Sequence, residues 1–358
     1  MPAIQAQSVQ ETYAIMKARL HNVVPDVELR IKAELVYEIN RLKQEKNAVI
    51  LGHNYMEPAL YNTIPDFVGD SLALSRQAAS TDKDIIVFCG VEFMAETAKI
   101  LNPEKTVLIP AKRAGCSLAS SITAQDVRDL KAQFPGVPVV TYVNTYADVK
   151  AESDVCCTSG NAVAVVQSLD TDTVIFLPDE YLASNVAQET GKRILVLSDQ
   201  KKGLNGASSR IQLTEKSDFD LIGWHGRCEV HEKFTIQDIR AVRAQFPDVE
   251  ILAHPECSPA VVAASDYSGS TTAMIQRVQT SNAPHFLLLT ECAMGDNIIA
   301  ANPDKEMLRL CSVRCPHMNQ ITLEDTLDAL RYNRYEVHVP EEIRQRAAQA
   351  VERMIAIG

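Results

Sequence analysis

The chain carries one plan three times, and this repetition is what most restricts its fold. Short apolar, β-branched runs end in polar residues at three places: NAVILGHNY (47–55), PVVTYVNTY (138–146) and VEILAHPEC (249–257). After each run come a small, hydroxyl-rich start to a helical pattern, a second apolar run and a cysteine. Continuous apolar runs of this length are typical of buried parallel strands. The recurrence therefore indicates three related βαβ units.

We predict an α/β fold of three αβα sandwich domains, whose small parallel sheets are related by pseudo-threefold symmetry. The predicted segments are an N-terminal helical segment (1–46), three αβα units (47–135, 136–247 and 248–320) and C-terminal helices (321–358). The middle unit is the longest, which indicates an insertion around the Gly/Ser/Lys stretch 200–210. One larger doubly wound sheet is the alternative.

Composition argues against several classes of protein. The net charge of -11 disfavours a nucleic-acid or anionic-membrane surface, and we expect neither partner. No run of about 18 apolar residues occurs, and the N-terminus lacks the pattern of a signal peptide. We therefore predict a reducing, cytoplasmic setting, in which the nine cysteines are not a disulfide framework.

Polar residues at the ends of the predicted strands are candidates for binding and catalysis, because open parallel sheets bind ligands beyond the carboxyl ends of their strands. These residues are His53, Tyr55, Tyr142, Asn144, His254 and Glu256. The next helix in each unit is predicted to start with a hydroxyl group, and the residues concerned are Ser71, Ser159, Ser270 and Thr271. Helix N-termini attract carboxylate and phosphate groups. Any one such residue is more often an ordinary N-cap, but three matching positions favour one shared anionic pocket.

Three cysteines, Cys116, Cys228 and Cys315, occupy equivalent positions and would converge around a pseudo-threefold axis. Three thiolates with an open position suit a [4Fe–4S] cluster with one free iron, or a catalytic zinc ion. Buried structural thiols are the simpler alternative. Cys311 and Cys315 do not form a radical-type cluster loop, because Met318 stands where its third cysteine would be. His231 follows Cys228 by three residues, either as a proton donor beside the metal or as a surface histidine.

An ordered set of motifs between about Ala48 and Leu330 resembles the quinolinate synthases of NAD biosynthesis. The motifs are HNYMEP (53–58), GDSLAL (69–74), TYVNTYADVKAESDVCCTSGNA (141–162), GRCEVHEKF (226–234), HPEC (254–257), YSGSTTAM (267–274) and CPHMNQITLED (315–325). The set as a whole is specific, although each short motif alone is not. The resemblance agrees with three αβα domains around a pseudo-threefold axis.

The resemblance implies an oxygen-sensitive [4Fe–4S] cluster held by Cys116, Cys228 and Cys315, with substrate binding at the fourth iron. Cys311 is not expected to be a ligand. The implied reaction joins iminoaspartate to dihydroxyacetone phosphate and yields quinolinate, phosphate and two waters, with the cluster as Lewis acid. L-aspartate oxidase is expected to supply the short-lived imine.

The resemblance also implies roles for the candidate residues. Catalytic roles are expected for Tyr55, Tyr142, His231 and Glu256, with proton transfer assigned to Tyr55 and Glu256. Substrate contacts are expected for His53, Ser71, Tyr142, Asn144, Ser159, His254, Glu256, Ser270 and Thr271.

Three other functions compete with this interpretation. A zinc-dependent lyase or aldolase could use the same thiolates. An iron–sulfur sensor would carry a basic nucleic-acid module, of which this acidic chain shows no sign. If the chain were an α/β protein with buried thiols and no metal, the matching strand ends, caps and cysteines would be a coincidence.

Overall fold

The computed structural model describes residues 3–197, 219–308 and 313–357. Within these residues the strands form three separate sheets, in which every paired strand runs parallel to its neighbour. Helices flank each sheet. The predicted α/β fold with three small parallel sheets is therefore confirmed, and the alternative of one large sheet is wrong. The predicted insertion at 200–210 lies outside the described residues.

Two helices precede the first sheet, α1 (Val9–Leu20) and α2 (Asp26–Glu45). Pro25 is the N-cap of α2, a position at which its missing N–H leaves no hydrogen bond unmade. The segment before the first strand is thus helical, as predicted, but the chain turns once between the two helices. Val36 and Ile39 of α2 are fully buried, and α2 packs against β1 of the first sheet, Ala48–His53.

The three units, each built on one sheet, share one order of strands and helices. The first contains β1 (Ala48–His53), α3 (Pro58–Tyr61), β2 (Phe67–Gly69), α4 (Ser71–Ser80), β3 (Ile85–Cys89), α5 (Glu92–Leu101) and β4 (Thr106–Leu108). After α6 (Ala124–Gln133), the middle one contains β5 (Val139–Tyr142), α7 (Ala147–Ala151), β6 (Val155–Cys157), α8 (Ala162–Gln167), β7 (Val174–Leu177), α9 (Glu180–Thr190), β8 (Ile194–Leu197) and β9 (Leu221–Trp224). After α10 (Ile236–Gln245), the third contains β10 (Glu250–Ala253), α11 (Pro259–Ala264), β11 (Tyr267–Ser268), α12 (Thr271–Thr280), β12 (His285–Leu289), α13 (Ala293–Ala301) and β13 (Glu306–Leu308).

The sheets also share their strand order. The first and third sheets run β2-β1-β3-β4 and β11-β10-β12-β13, and the middle sheet runs β6-β5-β7-β9-β8 with one additional strand among the described residues. The segment bounds predicted from the sequence stay a prediction.

Two C-terminal helices, α14 (Leu323–Tyr332) and α15 (Glu341–Ala356), complete the described fold. α15 packs against α5 of the first unit and α7 of the middle unit through its buried Ala347, Ala350 and Val351. The C-terminal helix thus holds two of the three units together. No helix in the described ranges has the length and apolar character needed to cross a bilayer.

Strand register establishes which residues of the three units are equivalent. The central strands begin their pairing with the next strand at Leu51–Phe67, Val140–Val155 and Leu252–Tyr267. Two residues later stand His53 and Tyr142, the last residues of β1 and β5, and His254, the first residue after β10. Two residues further on stand Tyr55, Asn144 and Glu256. The predicted strand-end pairs therefore occupy matching places in the three sheets.

Each of the three cysteines opens the same local structure. A 3-10 turn begins three residues after the cysteine, and these turns are Ala119–Ser121, His231–Lys233 and Met318–Gln320. A threonine seven residues after the cysteine then caps the next helix by accepting the N–H of an aspartate, and the pairs are Thr123–Asp126, Thr235–Asp238 and Thr322–Asp325. The sequence pattern Cys-x6-Thr-x2-Asp therefore encodes a turn and a capped helix behind every cysteine.

Replacing a capping threonine should destabilise the protein measurably. Thr235→Ala removes the acceptor for the Asp238 N–H, and we expect a loss of about 1 kcal/mol in the free energy of unfolding, measured by denaturant titration. Thr280→Ala is the control, because that hydroxyl group only donates within the last turn of α12 and its loss should cost less than about 0.5 kcal/mol. Equal losses in the two variants would contradict the prediction.

Candidate active site

The three strand-end pairs meet at one cavity of about 70 Å³ between the units. Nearly all the candidate residues line it: His53, Tyr55, Ser71, Cys116, Tyr142, Asn144, Ser159, Cys228, His231, His254, Glu256, Thr271 and Cys315. Ser270 does not line the cavity. Its hydroxyl group donates to the Asp70 carboxylate at 2.9 Å, and Asp70 does line the cavity. Parallel strands deliver their carboxyl ends to one edge, and three such edges enclose a small polar chamber.

A buried carboxylate and imidazole lie at the centre of the cavity. Glu256 Oε2 lies 2.6 Å from His231 Nδ1, and both side chains are almost fully buried. Burial alone would raise the pKa of Glu256, but His231 and His254 outweigh it and hold that pKa well below its usual range. Burial lowers the pKa of His231. Glu256 is therefore the ionised member of the pair, and its carboxylate lies against the His231 ring.

The free nitrogen of His231 faces two hydroxyl groups. His231 Nε2 lies 3.0 Å from Thr290 Oγ1, and Thr290 Oγ1 lies 2.5 Å from the Tyr55 phenol oxygen. A carboxylate, an imidazole, a hydroxyl group and a phenol thus form one connected chain. Sequence reasoning missed Thr290, although it is the first residue after β12 and so stands at the carboxyl edge where ligands bind.

Two tyrosines of the cavity keep their phenol protons at neutral pH. Burial raises the pKa of Tyr55 and Tyr142 well above the usual range of a phenol. Nearby Glu256 acts in the same direction, since a second negative charge beside it is unfavourable. Both phenols therefore stay protonated and can donate hydrogen bonds or protons to a ligand.

His53 and His254 adopt the same local arrangement in the first and third units. The Tyr55 N–H donates to His53 Nδ1 at 3.2 Å, and the Glu256 N–H donates to His254 Nδ1 at 3.3 Å. Because Nδ1 accepts a hydrogen bond in both rings, Nε2 carries the proton. The Nε2 atom of His254 lies 3.2 Å from Ser159 Oγ. Burial lowers the pKa of His53 to about 4, so this ring is neutral at neutral pH. Asn144 completes the set by donating to Glu256 Oε1 at 3.3 Å.

The helix starts agree with the sequence prediction in two units and differ in the middle one. Ser71 and Thr271 are the first residues of α4 and α12, behind the N-caps Asp70 and Ser270. Ser159 does not start a helix, because α8 begins only at Ala162 behind the N-cap Asn161. The reason is the tight turn before α8, in which Asn161 Oδ1 accepts the Thr158 N–H at 2.7 Å. The expectation of three equivalent helix N-termini was wrong for this unit.

The cysteine side chains reach the same cavity from three different loops. Two backbone N–H groups donate to each sulfur, and the donors are Leu118 and Ala119, Val230 and His231, and His317 and Met318. Burial raises the pKa of Cys116 to about 12 and that of Cys315 to about 11, and it also raises the pKa of Cys228 well above the usual range of a thiol. N–H groups aimed at a buried sulfur favour its thiolate form, which is the form that binds metals. Cys311 lies outside the described residues.

A repeated backbone hydrogen bond holds each cysteine loop against its own sheet. The donor is a residue at the start of the helix after the third strand of the unit (β3, β7 or β12), and the acceptor is the carbonyl group two residues before the cysteine. The pairs are Glu92 to Ala114 (2.7 Å), Glu180 to Gly226 (2.8 Å) and Cys292 to Val313 (3.2 Å). The three thiols are therefore positioned by equivalent contacts, which supports one shared ligand.

Acid should destabilise the protein through His53. Its folded pKa of about 4 lies below the model-peptide value of 6.5, so between these values the unfolded chain binds a proton that the folded chain does not. The stability from this group is present above pH 6.5 and is lost as the pH falls towards 4. Relative to His53→Asn, wild-type protein should lose about 3 kcal/mol of unfolding free energy over this interval, measured by denaturant titration. Parallel stability curves for the two proteins would contradict this.

Comparisons with known proteins agree with the geometry of the cavity. The family model described as NadA, Quinolinate synthetase A protein, matches residues 37–356. Quinolinate synthase 2 of Mesorhizobium japonicum is 50% identical over 350 residues, which are 98% of this chain and 99% of the relative. The quinolinate synthase of Caulobacter vibrioides is 49% identical over 358 residues, which are 99% of this chain and 89% of the relative. The quinolinate synthase of Xylella fastidiosa is 51% identical over 324 residues, which are 90% of this chain and 86% of the relative. A match of this extent, on a chain whose strand ends and cysteines share one cavity, shows that it belongs to the quinolinate synthase family, enzymes of NAD biosynthesis.

Proposed function

We propose that the chain condenses iminoaspartate with dihydroxyacetone phosphate to give quinolinate, phosphate and two waters. The observation that carries the proposal is the joint arrangement of Glu256, His231 and Tyr55 in the cavity that three cysteines also line, with Thr290 between His231 and Tyr55. A condensation followed by loss of two waters needs proton removal from carbon and proton delivery to leaving oxygens, and a neutral imidazole beside phenols provides both.

We propose Cys116, Cys228 and Cys315 as the ligands of a [4Fe–4S] cluster. The donor set fits: three soft sulfur atoms line one cavity, each receives two backbone N–H groups, and no fourth cysteine in the described part of the chain lines that cavity. Such a cluster supplies a Lewis-acidic iron that polarises a carbonyl or hydroxyl oxygen of the substrate. Every other step is assigned to side chains of the protein.

Glu256 and His231 are assigned to proton transfer. Glu256 Oε2 lies 2.6 Å from His231 Nδ1, and we assign His231 Nε2, which faces Thr290 and Tyr55, as the base. Tyr55 and Tyr142 are assigned the acid role, since both phenols keep their protons. A base and two acids at the strand ends can act on opposite sides of a bound intermediate.

The remaining lining residues are assigned to substrate binding. Two carboxylates and one phosphate must be held, and the N-termini of α4 and α12 with Ser71 and Thr271 offer N–H and hydroxyl donors for them. His53, Asn144 and His254 offer further hydrogen bonds, and Ser159 lies beside His254. Ser270 is assigned an indirect role through its hydrogen bond to Asp70.

The source of the imine, the cellular compartment and the bounds of the domains complete the proposal. The imine is unstable in water, so we propose that an L-aspartate oxidase supplies it in a reducing, cytoplasmic setting. We retain the division into 1–46, 47–135, 136–247, 248–320 and 321–358 as the proposed domain plan. Limited proteolysis would test these bounds.

A zinc-dependent lyase is the second candidate function, because one group of atoms favours it. The ligand atoms of Cys228, His231 and Glu256 all lie within 4.8 Å of one another, which is the spacing of a mononuclear site. Anaerobic purification followed by analysis of iron, sulfide and zinc separates the two candidates. About four irons and four sulfides per chain, with quinolinate formed from the two substrates, would support the main proposal. Zinc without sulfide would favour the lyase.

Replacing any one of the three proposed ligands should remove the cluster. Cys116→Ser, Cys228→Ser and Cys315→Ser are expected to lose iron and sulfide together, measured by chemical analysis and visible absorbance, because a serine hydroxyl is a poor ligand for iron–sulfur clusters. Cys292→Ser is the control and should keep its iron, because Cys292 does not line the cavity. Full iron in any of the three ligand variants would contradict the assignment. Cys311→Ser is predicted to keep its iron as well.

Neutralising Glu256 should stop the chemistry without affecting the cluster. Glu256→Gln removes the charge that orients His231, and we expect kcat to fall at least about 100-fold with iron content unchanged. Glu250→Gln is the matched control, since Glu250 is the first residue of β10, at the end of that strand away from Glu256, and pairs with Arg277. Loss of the cluster in the Glu256 variant would refute its role in proton transfer.

A further inference from the structure

Two asparagines, the buried Asn297 and the half-buried Asn185, hold the turns that carry Tyr55 and Glu256. Asn297, on α13 of the third unit, donates from Nδ2 to the carbonyl groups of Asn54 (3.2 Å) and Met56 (2.9 Å) in the first unit. These two carbonyl groups flank Tyr55 on either side. The side chain of Asn297 is only 3% exposed, so its contacts are made away from water.

Asn185 makes an equivalent pair of contacts between the middle unit and the third unit. On α9 of the middle unit, its Nδ2 donates to the carbonyl groups of Pro255 (2.7 Å) and Cys257 (2.9 Å) in the third unit. These two carbonyl groups flank Glu256. Both asparagines stand five residues after a residue that holds a cysteine loop, Cys292 for Asn297 and Glu180 for Asn185. They are therefore equivalent residues of the repeated plan, and each reaches into the next unit.

Only a primary amide of this size can make these contacts. An NH2 group offers two N–H donors, which match two carbonyl acceptors, whereas a carboxylate would place oxygen against oxygen. The orientation of Asn297 is fixed independently, because its Oδ1 accepts from Asn62 at 3.4 Å. Holding the carbonyl groups before and after one residue fixes the direction in which that residue projects its side chain.

The first unit does not repeat the clamp. Its equivalent residue is Thr97, whose hydroxyl group donates within its own helix to Phe93 at 2.7 Å. The turn that carries Asn144 is held instead by Lys150, a fully buried residue whose Nζ donates to the Thr145 carbonyl group. The two asparagine clamps thus serve the two turns whose side chains belong to the proton-transfer chain.

We propose that Asn185 and Asn297 are positioning residues for catalysis, each clamping the turn of a neighbouring unit so that Glu256 and Tyr55 point into the cavity. The inference deepens the proposed function and rests on it for its kinetic consequence. Its structural consequence, the rigidity of two particular turns, does not depend on which reaction the cavity performs.

Hydrogen exchange tests the clamp without any assay of activity. Asn185→Asp and Asn297→Asp keep the size of the side chain and destroy the paired donors. In the holoprotein, Asn185→Asp should speed amide exchange in the peptide around 254–259, where the Cys257 N–H donates to the His254 carbonyl group. Asn297→Asp should do the same around 53–58, where the Met56 N–H donates to His53. Unchanged exchange at both turns would overturn the proposal.

Asn102→Asp is the matched control for both variants. Asn102 is also a buried asparagine whose Nδ2 donates to two carbonyl groups, Ala78 at 2.9 Å and Ala98 at 3.0 Å, but neither belongs to a site turn. Its replacement should lower thermal stability without faster exchange at either turn. Faster exchange at both turns in this control would mean that general loosening explains the effect, and would overturn the proposal.

Kinetics then separate positioning from folding. Both clamp variants should keep wild-type iron content and lose roughly tenfold or more in kcat, with KM changed much less, because misplacing a catalytic group by about 1 Å costs that much. Asn185→Ser and Asn297→Ser, which remove the amide without adding charge, replace the aspartate variants if those fail to fold. A kcat within twofold of wild type, or a loss of kcat that only follows the loss of iron, would overturn the proposal. Absence of quinolinate formation by wild-type protein would count against the proposed function and leave the exchange result to judge the clamp.

Discussion

The contact between the Glu256 carboxylate and the His231 imidazole is the interaction on which the rest of the site depends. A charged carboxyl group removed from water is costly unless several donors surround it. Here Asn144 of the middle unit donates to Glu256 Oε1, and His231 of the same unit lies 2.6 Å from Oε2, whereas Glu256 itself belongs to the third unit. Only the assembled protein can provide them, so the charge at the centre of the cavity is compatible with one arrangement of the units.

Equivalent positions in the three units have different side chains, and this difference makes the cavity chemically useful. The matching residues beyond the three central strands are Tyr55, Asn144 and Glu256, which are a phenol that keeps its proton, a neutral hydrogen-bond donor and an ionised carboxylate. The cysteines, by contrast, are the same in all three units, as are the turns and capped helices behind them. The repeat thus keeps a symmetric set of thiols beside an asymmetric set of proton donors and acceptors.

Sequence patterns were sufficient for the parts of the fold that depend on local periodicity. The apolar runs predicted the parallel strands, and the polar residues ending those runs are the ones that line the cavity. Thr290 escaped detection because one threonine after a strand has no distinguishing pattern. The start of α8 at Ala162 was missed because a side-chain hydrogen bond of Asn161, rather than helix propensity, delays it. The clamps of Asn185 and Asn297 join residues that are 70 or more positions apart, so no local pattern encodes them.

The spread of the cysteines along the chain has a consequence for the order of events during biosynthesis. Cys116 emerges early from the ribosome, whereas Cys315 belongs to one of the last segments to be synthesised, just before α14. Any group that needs all three sulfur atoms can be inserted only after the third sheet has folded onto the other two. Each thiol already sits on a turn fixed by its own capped helix, so loading needs little further folding. Loading of such a group would therefore follow translation and would not guide folding.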